Sequence, residues 1–447
     1  MKKETILFCL ALIILISCAK QETPSSSVQQ TMPEEASKEN VAEEIKENIT
    51  AEEHVKPEPA AEEKSKYQIF DPLLTYEGAY NGPLYGTSEQ VGSASMDTYF
   101  QNLDRNGINF FIGMFGIEGE PNADLLVSDN GLGEVIDAVQ KHPYRVIPFF
   151  NPGIGGEDAE QYLGDTLTGW YSKTLAASKM IAGDDFIRGF GEIETQEWGV
   201  QHDNPKVLQL INLAQRNNIN FMFHPVASGM DDVERIVKAY PDTTFLIHMY
   251  REDLDQSMSN LIRILKENNN LYFSMDAAHI IHVKGMDIIY DYDSGDTARS
   301  VADFIDTLNS KEKSIIDSAI STYKPLVDAV PDKVMWGTEI GPEYAFEKEV
   351  FDRAIKVSRF VIAGFKKEHQ EAVGYKNALR MFGEGVTVSS DIKVIDTRSW
   401  PDCDDDQMSD CNESCGIPDT DTETPEQGAC YQKCLNGKKC KDVLEVD

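Results

Sequence analysis

Two histidines in this chain each close an apolar run: His224 in FMFHP, 221–225, and His248 in FLIHMY, 245–250. Glu192 lies near the end of a third run, GFGEI at 189–193, and Glu339 follows a fourth, KVMWGT at 333–338. Polar groups at the close of apolar runs are costly to bury without partners, so these four side chains should have them. Neutral imidazole together with carboxylate is a donor set for one divalent cation, zinc first, manganese or ferrous iron next. The residue types leave two other uses open. Glu192 or Glu194 with Glu339 could act as acid and nucleophile of a retaining glycosidase, which needs carboxyl groups about 5–5.5 Å apart. That chemistry does not need the histidines. Alternatively the imidazoles are structural, and the scaffold is a catalytically degenerate surface module that binds a ligand without metal.

These groups need a frame. Eight short apolar runs recur along the chain, at 67–70, 108–115, 144–150, 186–193, 219–224, 243–248, 270–275 and 333–338. Longer segments with helical spacing separate them. In PKVLQLINLAQRNN, Val207, Leu210, Ile211 and Ala214 fall on one helical face, and Pro205 suits the first turn. MDDVERIVKAY and NLIRILKENNN repeat the pattern. Strands alternating with helices imply right-handed βαβ units and a parallel sheet buried on both faces. Eight units over about 300 residues predict a (β/α)8 TIM barrel. An open doubly wound sheet would normally carry a glycine-rich turn after its first strand, and DPLLTYEG has none. Counting runs puts Glu192, His224 and His248 on the fourth, fifth and sixth strands, with Glu339 just past the eighth. Functional groups of this barrel come from those C-terminal ends. Asp276, His279 and His282 follow the seventh run and could line the same mouth, or could be loop residues with local hydrogen bonds. Trp198 and Tyr250 also sit just past strand ends, as a substrate wall or as simple packing.

The motif series GFGEI, FMFHP, DTTFLIHM, KVMWGTEIGP (333–342) and YKNALRMFG (375–383) resembles the amidohydrolase superfamily over about 105–383, closest to its amidohydrolase-related branch. The resemblance implies a metal-dependent hydrolase of a small amide, ester or lactone. Glu192 matches that family's fourth-strand ligand, and His224 and His248 match the fifth- and sixth-strand histidines. Asn377, Ala378 and Phe382 match a closing helix that serves packing. Two departures stand out. The family's first-strand His-x-His has no counterpart in IFDPLLTYEG, and the eighth-strand aspartate is replaced by Glu339. What remains is one Glu-His-His set for one divalent ion, with Glu339 as the proton acceptor.

The ends carry a different message. Residues 1–18, MKKETILFCLALIILISC, pair two lysines with a short apolar run and resemble a prokaryotic lipoprotein signal peptide whose lipidated cysteine is Cys18. Residues 19–66 are acidic, lack an apolar period and predict a disordered linker. The expected organisation is therefore signal peptide 1–18, linker 19–66, barrel 67–390 and Cys-rich tail 400–447, lipid-anchored at the cell envelope and facing outside the cytoplasm. A net charge of −35 argues against a nucleic-acid partner. The expected partners are a small-molecule substrate and, through the lipid, a membrane. Cys403, Cys411, Cys415, Cys430, Cys434 and Cys440 crowd the tail. In an exported segment without histidine, disulfides are the expectation and zinc the rival. The C-x3-C pairs share helix faces, which favours nested bridges 411–434 and 415–430 with 403–440 outside.

Overall fold

The computed structural model describes residues 78–91, 94–116, 132–151, 163–196, 198–394, 401, 403–416, 430, 434–435 and 437–439. The segments read as signal peptide and linker, and the run at 67–70, lie outside the described residues. So does Cys440.

Eight strands form one sheet in sequential order: β1 (Leu84–Val91), β2 (Ile108–Gly116), β3 (Val146–Asn151), β4 (Gly189–Ile193), β5 (Asn220–Phe223), β6 (Phe245–Ile247), β7 (Leu271–Asp276) and β8 (Val334–Gly337). Every ladder between neighbours is parallel. The first and last strands meet through a side chain: Thr87 Oγ1 donates to the carbonyl of Trp336 at 3.0 Å. Thr87 also shares a short hydroxyl bond with Ser274 on β7. The sheet is thus a nearly closed (β/α)8 barrel. Its first strand is LYGTSEQV, a stretch that is too polar and glycine-containing to stand out as an apolar run.

Helices α1 (Met96–Arg105), α2 (Leu132–Lys141), α3 (Asp165–Ala182), α4 (Pro205–Asn217), α5 (Met230–Ala239), α6 (Arg251–Glu267), α7 (Thr297–Ala329) and α8 (Lys348–Ala363) follow the strands in turn. Helix α4 begins as its sequence predicts, with Asn204 accepting from the Lys206 amide at 2.9 Å and Pro205 in the first turn. It ends at Asn218, in the left-handed conformation that asparagine tolerates. No described helix is long and apolar enough to cross a membrane.

Strand alternation sorts the core into two parts. Met222, Leu246 and Met335 pack inside the barrel with Phe149 and Phe382. Their neighbours Phe221, Phe223, Phe245, Ile247 and Trp336 pack outward, in the layer that includes buried helix residues. The closing helix Asn377–Phe382 supports the barrel from below, with Asn377 Nδ2 donating to the carbonyls of Val334 at 2.7 Å and Pro331 at 2.8 Å. Period two then sends His224, two past Met222, and His248, two past Leu246, toward the barrel axis.

Strand β4 breaks this rule. Phe190 opposes Phe221 and Ile193 opposes Phe223, so three steps on β4 match two on β5. Such a bulge re-aims the residues beyond it. Phe190 and Ile193 both pack outward, and Glu192 between them is turned inward. Gly191 makes the bulge possible. Its φ is +135°, and a Cβ there would stand 2.6 Å from Met222 Cβ and 2.8 Å from the Met222 carbonyl oxygen.

In the tail, a helix at Asp405–Cys415 is closed by a capping box between Asp404 and Gln407. Cys411 bonds Cys434, and Cys415 bonds Cys430, with Cα–Cα separations of 5.6 Å in each. These are the two inner bridges expected from the spacing.

Gly191→Ala should cost about 3 kcal/mol through backbone strain and overpacking. A denaturant melt of the variant measures it, and unchanged stability would contradict the role given to the bulge.

Candidate metal centre

Six side chains at or below 3 % exposure meet where β4 to β8 end: Glu192, His224, His248, Asp276, His279 and Glu339. Glu192 Oε1 stands 2.6 Å from His224 Nδ1 and 2.5 Å from His248 Nε2. On its other edge, His248 Nδ1 lies 3.1 Å from Asp276 Oδ2 and 3.6 Å from Glu339 Oε2. Glu194, more open to solvent, reaches His224 Nδ1 at 3.5 Å.

These close approaches lack hydrogen-bond alignment. Glu192 Oε1, both nitrogens of His224 and both of His248 are buried without a hydrogen bond. Buried polar atoms are ordinarily hydrogen-bonded, so a convergent set that is not needs an explanation. One donor atom from each of Glu192, His224 and His248 lies within 4.8 Å of the others. That is within reach of one ion whose ligand bonds are about 2.0–2.2 Å. The donor types, the burial and the misaligned contacts all fit a divalent cation.

The electrostatics show the same strain. Burial pushes the Glu192 carboxyl up, but the imidazoles of His248 and His224 outweigh it and hold the group well below the usual carboxylate range. Burial opposes charging His248, yet the carboxylates of Glu192 and Glu339 raise its proton affinity well above the ordinary value. His224 is raised as well, against burial and the neighbouring His248, by Glu192. Protons and a metal compete for the same imidazole nitrogens, because a ligating histidine must be neutral. Glu339 goes the other way: burial and the charge of Glu192 raise it well above a normal glutamate.

Glu339 is set by its backbone. Its φ of +50° is the left-handed region, which costs a non-glycine residue about 1–3 kcal/mol. Two bonds brace the turn. Tyr290 Oη donates to the Glu339 carbonyl at 2.9 Å, and the Ala278 amide donates to the Thr338 carbonyl at 3.0 Å. Tyr290 has no sequence pattern that would reveal it. It reaches Glu339 from the excursion after β7, which contains a two-stranded hairpin of His282–Val283 and Met286–Asp287.

The remaining candidates divide. Asp276 and His279 join the cluster through a shared grouping with His248. Tyr250 forms part of the mouth, its ring 4.3 Å from His224 and 5.2 Å from His279, and it is 38 % exposed. Trp198 instead packs into the apolar layer outside the barrel. His282 is not brought to the cluster. Its place in the hairpin turns Nε2 to Glu252 Oε1 at 2.9 Å, in the first turn of α6.

No family model matches this chain, and no curated protein matches it. Similar solved structures include an amidohydrolase from Burkholderia multivorans with bound zinc, at 10% identity and a TM-score of 0.43, covering 68% of this chain and 100% of that one. A dihydroorotase from Campylobacter jejuni gives 12% identity and 0.39, covering 71% and 86%. A dihydropyrimidinase from Brevibacillus agri gives 7% and 0.43, covering 70% and 73%. At such scores these likenesses carry no argument, and the barrel stands on its own strand order and register.

The hairpin supplies a pH test. Asp287 is half-buried, and burial pushes its carboxyl up to about 8. An unfolded aspartate titrates near 3.9. The native state therefore favours the protonated acid. The full benefit is present below the unfolded value and is lost as pH rises through about 8. Asp287→Asn should raise Tm by a few °C or more at pH 8–9 relative to wild type, and by much less at pH 4. Thermal melts across that range check it.

Proposed function

We propose that the barrel is a metal-dependent hydrolase of a small carbonyl-containing substrate, an amide, ester or lactone. The observation that carries this reading is the convergence of Glu192, His224 and His248, three buried donors without hydrogen bonds at the C-terminal mouth. The ordered motifs that resemble the amidohydrolase superfamily support it. Glu192 Oε1, His224 and His248 would hold the ion, with zinc, manganese or ferrous iron suited to an N/O donor set. A divalent ion there supplies Lewis acidity, polarising a carbonyl and activating water at neutral pH.

The protein's own residues do the rest. Glu339 stands beside His248, and burial next to Glu192 raises its proton affinity. As the carboxylate it would be suited to take the proton that attacking water gives up, then to return it to the leaving group. The braced left-handed turn keeps that carboxyl from swinging away. Tyr250 presents a ring that is half in solvent and half against the imidazoles, which suits a substrate wall at the entrance. From the signal-like stretch 1–18 we also propose that a lipid on Cys18 carries the barrel at the cell envelope.

Two measurements test it. Metal analysis of the purified chain should find at least one divalent ion per molecule, lost in His224→Ala/His248→Ala. Substoichiometric metal in the wild type would eliminate the hydrolase and leave a metal-free binding module. Glu339→Gln should keep the ion but lower kcat about 10²–10⁴-fold on any amide, ester or lactone that the wild type turns over. Activity unchanged in that variant would remove Glu339 from the chemistry.

A further inference from the structure

We propose a second cation position on the other edge of the His248 ring, held by His248 Nδ1, Asp276 Oδ2 and His279 Nε2, so that one imidazole bridges two ions. The proposal rests on the metal-centre reading above and extends it to residues after β7.

His248 is engaged on both edges. Nε2 faces Glu192 Oε1 at 2.5 Å, and Nδ1 faces Asp276 Oδ2 at 3.1 Å. A simpler role for Asp276 would be to accept the Nδ1 proton and orient the ring for a single ion. That role would leave the 3.1 Å contact poorly aligned for a hydrogen bond. Neither His248 Nδ1 nor Asp276 Oδ2 makes a hydrogen bond, although both are buried. Nor would it account for His279. That imidazole is 2 % exposed, and its Nε2 has no hydrogen bond. One donor atom from each of His248, Asp276 and His279 lies within 4.8 Å of the others. A cation at their centre satisfies all three at once.

The surroundings prepare Asp276 for this. Its Oδ1 accepts from Ser274 Oγ at 2.5 Å, which leaves Oδ2 directed at the imidazoles. Gly337 on β8 leaves the space. A Cβ there would stand 2.2 Å from Asp276 Oδ1 and 2.6 Å from Ser274 Oγ.

To bridge two ions, His248 would lose its last N–H proton to solvent, and the two divalent ions would compensate that imidazolate together with the buried Glu192 and Asp276 carboxylates. The donor set of two nitrogens and one oxygen, with Glu339 Oε2 3.6 Å from His248 Nδ1, suits zinc or a similar borderline cation.

The test is zinc stoichiometry of the full chain, stripped by chelator, reloaded with zinc chloride and desalted, with folding followed by circular dichroism. Wild type should hold about two zinc ions per chain, and His279→Gln, Asp276→Asn and His224→Gln about one each. Should those variants misfold, copper-loaded wild type decides. Two ions bridged by one imidazole give a spin-coupled resonance, and separate ions do not. One zinc in the wild type that His224→Gln removes and His279→Gln keeps would overturn the second position and leave the hydrolase reading intact. One zinc that His279→Gln removes and His224→Gln keeps would uphold the position proposed here and sink the first. Two zinc ions retained in His279→Gln would also overturn it, and none in the wild type would end both.

Discussion

Oxygen Oε1 of Glu192 sits between two imidazole nitrogens, at 2.6 Å and 2.5 Å, in a place with almost no water. A buried carboxylate is tolerated only where opposite charge or good hydrogen bonds compensate it. Here the alignment for hydrogen bonds is lacking, so charge must do it. Protonated imidazoles can serve, and so can a cation. The architecture around the mouth follows from meeting that one requirement.

Glu192 reaches the barrel axis because β4 carries one more residue than β5 over the same span. Without the bulge, alternation from Phe190 would point the carboxylate into the apolar layer between sheet and helices, where its charge would have no partner. Gly191 permits the irregular backbone, and Met222 packs closely against it. The inner core of the barrel thus supports the ligand set directly. His224 and His248 need no such device, since regular strands with inward Met222 and Leu246 already aim them correctly.

A second layer of control lies in the excursion after β7. Asp276 ends the strand, His279 follows in a single helical turn, and Tyr290 returns to hold the Glu339 carbonyl. One loop therefore touches both the candidate ligands and the candidate proton carrier. Glu339 keeps an unfavourable backbone conformation that these bonds over-determine. Strain of this kind concentrates at sites where geometry matters more than stability.

Much of this was legible in one dimension. Seven of the barrel strands coincide with apolar runs, because strands buried on both faces must be apolar throughout. Helix α4 was legible from its cap, its proline and its spacing, and the inner disulfides from two C-x3-C pairs on helical faces. The histidines and Glu339 were identifiable as ionisable groups beside apolar runs. The strand β1 was not, since LYGTSEQV mixes polar residues and glycine into a position that side-chain bonds help to close. Local sequence determined which groups stand at strand ends, because strand period and burial act over a few residues. Only the tertiary structure decided which of them meet. The bulge that turns Glu192 inward, the separation of Trp198 and His282 from the cluster and the approach of Asp276 and His279 to His248 all depend on register between strands distant in the chain, which no local pattern encodes.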